Sequence, residues 1–231
     1  MSGWPRYRAV ADHALLVSFG TEIGDEMSAQ VFALDAGLAA HRPEGVIEWV
    51  PALVNLLVDF DPELTDHGTV QGEIERILSN PAQTGAKATE RVVEVCYDPD
   101  LAPDLAAVAD ATGMTPDAVI GAHLKATYNV RMYGFAPGYA YMSGVPEAIR
   151  VPRKPAAVRD VPAGSVIIAG PQCLVTTLTM PTGWSIIGRS PTPVMRSGAD
   201  HPFLFDVGDP VRFERIDRAT FESRLAEGQD G

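Results

Sequence analysis

The chain is short of the groups that most directly announce chemistry. It has two cysteines in 231 residues, Cys96 and Cys173, each in an apolar, strand-like context (VVEVCYD and GPQCLVTTL). No cysteine or histidine lies at ligand spacing from either, so two reduced core thiols are expected rather than a metal site or a disulfide framework. Positive charge is scarce as well. Eighteen Lys and Arg stand against 30 Asp and Glu, a net charge of −12, which argues against nucleic acid or an anionic membrane as partner. A local basic pocket for an anionic substrate remains compatible with that balance. No apolar run approaches the ~18 residues of a membrane span. The opening MSGWPRYRAVAD lacks the apolar core of a secretory signal, so a cytoplasmic location is expected. Nucleophile elbows, phosphate-binding glycine loops, HExxH pairs and Asp-rich metal loops are all missing. A self-sufficient hydrolase or ATPase ordinarily carries some such device, so the chain reads as one member of a complex, with a site that a partner completes.

What is present is periodicity. ALLVSFG (14–20) reads as a buried strand. Met27, Val31, Leu34 and Leu38 mark a helix between about 25 and 40. RPEG (42–45) breaks it, and two strands follow around Pro51, a residue that argues for a bend or an edge position. A second helix places Val70, Ile74, Ile77 and Leu78 on one face. This β-α-β-β-α unit occupies residues 1–82. A polar, Pro- and Gly-containing stretch without periodicity makes 83–90 a linker. The rest, 91–231, has a different texture: a strand (RVVEVCYD), a helix stopped at Gly113, and a helix opened by Thr115 and Pro116. Short strands follow, separated by Gly and Pro: TYNVRMYGF, GYAYMSG, GSVIIAG, CLVTTLTM, GWSIIGR and DPVRFERI. That spacing predicts a barrel or sandwich. A last helix starts at Asp217. The fold class is α+β.

Three features of the second half invite a functional reading. Arg153, Arg159 and Arg189 each stand at a strand–loop boundary, where a guanidinium can grip a carboxylate or phosphate; each could equally be a surface ion pair of little consequence. His123 falls near a helix end, where packing or a dipole contact competes with catalysis. MYGFAPGYAYMSG (132–144) carries no charge but several glycines, one proline, and Phe135, Tyr139 and Tyr141. Its aromatics either pack as hairpin core or wall a ligand or protein-binding pocket.

Taken together, ADHALLVSFG, YDPDLAPDLAAVADATGMTPDAVIGAH, YNVRMYGFAPGYAY, VPRKPAAVRDVPAGSVIIAGPQ and PTGWSIIGRSP resemble the signatures of a family known as allophanate hydrolase subunit 1, KipI-like proteins or the B-type subunits of 5-oxoprolinase. The resemblance covers nearly the whole chain. It departs at Ala157-Val158-Arg159, where Thr-Pro-Arg is common, and after Gln172, where Pro181-Thr182-Gly183-Trp184 replaces Pro-Gly-Gly-Trp. It implies a cyclophilin-like β-barrel for 91–231 and a hydrolase component that acts on a cyclic amide or ureido bond and is inactive alone. Its partner would be a subunit 2 homologue (the C-type subunit of 5-oxoprolinase or allophanate hydrolase subunit 2), joined in the oxoprolinase setting by a third, A-type subunit. ATP would be the cosubstrate, held by this chain or elsewhere in the complex, and the substrate a small carboxylic amide. Arg153, Arg159 and Arg189 would then supply anion contacts, Gln172 an amide handle, His123 an acid–base group, and Phe135, Tyr139 and Tyr141 the pocket wall. Two alternatives are a carboxyltransferase component of a biotin-dependent, urea carboxylase-like system and a KipI-like, non-catalytic inhibitor of a histidine kinase.

Overall fold

The computed structural model describes residues 3–79, 88–196 and 202–229. Contacts divide the chain into two units, Met1–Lys87 and Ala88–Gly231. Residues 83–87 of the expected linker lie outside the described residues. Thr89 and Glu90 belong to the second unit: the Thr89 amide donates to Asp209 Oδ1 at 2.8 Å and Arg212 pairs with Glu90.

The first unit is an antiparallel sheet in the order β1-β2-β4-β3, with two helices. Its elements are β1 (Arg6–Val10), β2 (Ala14–Ser18), α1 (Asp25–Ala40), β3 (Val46–Ala52), β4 (Asn55–Phe60) and α2 (His67–Ser79). The helical periodicity is used as the sequence predicts. Val31, Leu34 and Leu38 of α1 and Val70 and Ile74 of α2 are buried with Leu15, Val17, Leu56, Val58 and Phe60. Pro51 sits in edge strand β3, where its missing N–H interrupts no inner ladder. Strand β1 was not expected. RYRAV is mostly exposed and its one partner is β2, so it has no apolar alternation to betray it.

The second unit holds β5 (Arg91–Val95), α3 (Leu105–Thr112), α4 (Pro116–Lys125), β6 (Tyr128–Tyr133), β7 (Ala140–Ser143), a 3-10 turn at Glu147–Ile149, β8 (Val158–Val161), β9 (Ser165–Ala169), β10 (Gln172–Val175), β11 (Met180–Thr182), β12 (Ser185–Arg189), β13 (Pro210–Arg215) and α5 (Arg218–Gln229). Seven strands form one sheet in the order β12-β9-β10-β7-β6-β13-β5. The two ends meet where Cys96 and Arg189 exchange backbone hydrogen bonds at 2.8 and 2.9 Å, closing the sheet into a barrel. Thr115 caps α4 through the Ala118 amide, and Asp217 caps α5 through that of Thr220. The expected strand CLVTTLTM is two elements: β10 stays in the barrel, while β11 leaves it to pair with β8 as a separate two-stranded ribbon.

Alternation along the strands produces two apolar layers. Val166, Ile168, Cys173, Val175, Met142, Val130, Phe213 and Val95 point into the barrel and meet Leu105 and Val108 of α3 and Val119 and Ile120 of α4. Ile167, Ala169 and Leu174 point the other way and are covered by Val161, Trp184 and Tyr139. The seam requires Gly188. A Cβ there would stand 2.6 Å from Val95 Cγ1 and 3.2 Å from the Cys96 carbonyl oxygen. Gly188→Ala is therefore expected to cost about 1–3 kcal/mol as an overpacking change, measured as a lower urea midpoint with an unchanged m-value. An unchanged midpoint would show that the seam has slack.

Candidate functional site on the outer face of the barrel

The uncharged segment 132–144 forms strand, tip and strand. Gly134 N donates to the Tyr139 carbonyl at 3.2 Å and closes the tip. Inside it, Ala136 N donates to the Gly134 carbonyl at 2.9 Å across Phe135, whose φ is +71°. This is the γ-turn of positive central φ, a rare and strained form. Tyr139 N then donates to the Ala136 carbonyl at 3.1 Å across Pro137 and Gly138, the latter at φ +69°. Pro at the second position and a positive-φ glycine at the third make a type II turn. The first turn costs roughly 1–3 kcal/mol for a bulky residue, and its consequence is visible: Phe135 is 76% exposed. The three aromatics thus divide. Phe135 projects outward, Tyr139 is buried, and Tyr141 is half-buried. With Trp184 they form a continuous run on the outer face, at centroid separations of 5.5, 5.7 and 5.9 Å.

A polar row crosses the same face. Asn129 pairs with Ser143, Ser143 with Gln172, and Gln172 with Ala169, on four adjacent strands. Arg131, two residues on from Asn129, donates from Nε to Ser143 Oγ at 2.6 Å. Arg131, Ser143, Gln172 and Tyr141 are all half-buried. Arg153 completes the cluster. Its guanidinium lies close to Gly183, the residue before Trp184, and its charge is felt at both tyrosine hydroxyls. Burial pushes the Tyr139 hydroxyl up to about 12 and that of Tyr141 above its ordinary value, and in both Arg153 pulls the other way. Among the described residues no carboxylate pairs with Arg153. Its neighbours in the chain are committed elsewhere: Lys154 Nζ binds Asp104 Oδ2 at 2.5 Å, and Arg150 Nε binds the Val145 carbonyl.

Gln172, Tyr139, Tyr141 and Arg153 are therefore brought to one face. Phe135 stands at the edge of that face; Arg189, Arg159 and His123 are not part of it. Arg189 pairs across β9 with Ser165, four residues from the Ala169 that faces Gln172, about 13 Å along the strand. Its Nε donates to the Ala163 carbonyl, and its backbone closes the barrel. Arg159 is exposed on β8, with nothing linking it to the tyrosines. His123 is a correction. It is fully buried, with Nδ1 2.8 Å from the Tyr97 hydroxyl and Nε2 3.8 Å from Cys173 Sγ, and its ring packs against Tyr128 and Phe213. Burial alone drives its pKa from the ordinary 6.5 down to about 3. The ring is enclosed in the barrel core, away from the outer face, the packing alternative for this histidine.

Helix N-termini are the usual anion seats, but in the barrel unit each carries a carboxylate. Asp104 is the N-cap residue of α3, Asp117 lies in the first turn of α4, and Asp217 caps α5. These helix ends thus carry negative charge, that of Asp104 offset by Lys154 Nζ at 2.5 Å.

Comparison with known proteins places this geometry. The family model described as "Carboxyltransferase domain, subdomain C and D" matches residues 5–205. The B subunit of 5-oxoprolinase from Bacillus subtilis (strain 168) is 34% identical over 226 residues, 93% of this chain and 94% of that protein. The chain belongs to the family of 5-oxoprolinase B subunits. The crystal structure of TTHA0988 is 32% identical at a TM-score of 0.78 over 89% of this chain, which spans only 40% of that longer polypeptide. The K. lactis urea amidolyase superposes on 97% of the chain at a TM-score of 0.76 with 16% identity, a likeness of fold alone. The second unit is thus the cyclophilin-like barrel of the family, preceded by its small α+β domain. No described helix is long and apolar enough to cross a membrane.

Within this family member, sequence reasoning missed Arg131 and Ser143. The signal was available: in YNVRMY the residues Tyr128 and Val130 face the core, so Asn129 and Arg131 must face outward. The bulge between Val130 and Met132 obscured the alternation beyond that point.

Proposed function

We propose that this chain is the B-type subunit of a cytoplasmic, ATP-dependent complex that opens the C–N bond of a small cyclic carboxylic amide, with 5-oxoproline the first candidate. The observation that carries the reading is the guanidinium of Arg153, without an ion-pair partner among the described residues and close to Gly183, on the barrel face that carries Tyr139, Tyr141 and Trp184 and the polar row of Arg131, Ser143 and Gln172. A guanidinium suits a carboxylate bidentately. A carboxamide such as Gln172 can both donate to a lactam carbonyl and accept from a lactam N–H. Tyrosine rings supply an apolar wall with a polar tip. This face is open, so the water exclusion and close positioning that amide cleavage needs would come from a second polypeptide, the C-type partner (a subunit 2 homologue), with a third, A-type subunit completing the enzyme. The acidic helix ends support a division of labour in which ATP is held by another polypeptide and this chain orients the amide.

The test is reconstitution. Glutamate formation from 5-oxoproline and ATP is measured with the B-, C- and A-type subunits, and again with this chain left out. The expected result is loss of turnover on omission. Equal turnover in both mixtures would overturn the reading and return the carboxyltransferase and kinase-inhibitor alternatives.

A further inference from the structure

The hairpin tip does something the open polar face does not explain. Phe135 is the most exposed of the large apolar side chains among the described residues, most of which are buried. It is held out by a left-handed backbone conformation that a bulky side chain disfavours. A recess of about 390 Å³ adjoins it, lined by the tip with Tyr133 and Phe203. Gly138 is packed closely enough that a Cβ would meet Met195 and Phe203 at about 3 Å, so the tip is fixed against the barrel. No charged residue occurs between Met132 and Gly144. An exposed aromatic on a rigid, strained, uncharged tip beside an apolar recess has the composition of an interface anchor.

We infer that the 134–138 tip, led by Phe135, is the docking point for the second, C-type polypeptide, whose matching surface is an apolar socket. This rests on the proposed membership of a multi-subunit enzyme. Two observations select that occupant. The chain's net charge of −12 disfavours a second copy of itself. In TTHA0988 the matched region is 40% of one polypeptide, so the greater part of that chain is further protein joined to this unit covalently; a separate chain must hold such a neighbour by contact. Tip and polar face are one surface, since Phe135, Tyr139, Tyr141 and Trp184 form one aromatic run. A partner anchored at Phe135 would therefore overhang the Arg153 cluster and close it.

The experiment measures binding of the purified full-length chain to the C-type subunit from the same genome by titration calorimetry, for wild type, Phe135→Gly, Phe135→Asn and Phe135→Tyr. Gly and Asn tolerate positive φ and remove the ring, so these variants are expected to unfold at the wild-type temperature or slightly above it. They are expected to bind at least 30-fold more weakly, roughly the loss of a typical anchor. Phe135→Tyr is expected to stay within about threefold of wild type. Wild-type affinity in both Gly and Asn variants would overturn the docking inference while leaving the enzymatic reading intact. No binding by wild type would overturn both. Light scattering supplies the remaining outcome: a concentration-dependent homodimer abolished by Phe135→Gly would overturn the inference by showing that the tip serves self-association instead.

Discussion

Replacing His123 by glutamine is expected to lower unfolding stability at pH 7.5 by about 3 kcal/mol, and that gap is expected to shrink as the solution is acidified. The first half follows from packing. His123 is fully enclosed, bonded to Tyr97, close to Cys173, and in ring contact with Tyr128 and Phe213. Glutamine leaves part of that space empty and strands the Tyr97 hydroxyl, and each effect is worth a kcal/mol or more. The second half follows from linkage. The folded protein holds the ring neutral, with a pKa of about 3 against the ordinary 6.5, so between those values the unfolded chain binds the extra proton. The stabilisation by the neutral ring is thus intact above about pH 6.5 and lost progressively as pH falls toward 3. Full traversal is worth on the order of 5 kcal/mol. Glutamine has no such proton to bind, so the two urea midpoints should converge near pH 4. Carboxylates titrate in both proteins and cancel in the comparison. A gap that stays constant from pH 7.5 to 4 would mean that His123 is protonated inside the fold, and the account of the barrel core would be wrong.

His123 also shows where sequence reasoning stops. Its place near the end of α4 is legible, since Thr115 and Pro116 announce the start of that helix and the length follows. The face of the helix that meets the barrel is not legible, because Val119, Ile120 and His123 become one buried stripe only once α4 packs against β13. The α+β order, the helical faces of α1 and α2 and most barrel strands follow from periodicity. Strand β1 and the departure of β11 from the barrel do not, because each depends on pairing with a distant segment rather than on its own pattern. In the site, the tip residues of 132–144 and Gln172 are legible as candidates. The sorting of Arg153 from Lys154 is not: two adjacent cations look alike until Asp104, 50 residues away, is seen to take one of them.

That sorting produces the second large effect. Arg153→Ala is expected to lower kcat/KM of the assembled complex by roughly 10- to 100-fold, the range of one charge-assisted hydrogen bond to a substrate carboxylate. Because Arg153 is exposed and has no ion-pair partner among the described residues, thermal stability should be unchanged. Lys154→Ala should do the reverse. It unpairs Asp104, which also accepts from the Ile186 amide at 2.7 Å and stands at the N-cap of α3, so stability should drop by about 1–3 kcal/mol with kcat/KM of the remaining folded complex close to wild type. Adjacent residues with crossed phenotypes separate a ligand-binding cation from a structural one.

The most direct measurement of whether the outer face is the working surface is therefore steady-state ring opening by the reconstituted complex carrying Arg153→Ala, with every other component at saturating concentration and the melting temperature of the variant recorded alongside. The predicted result is a kcat/KM lower by at least about tenfold at an unchanged melting temperature. Wild-type kcat/KM in that variant would contradict the assignment of the site to this face of the barrel.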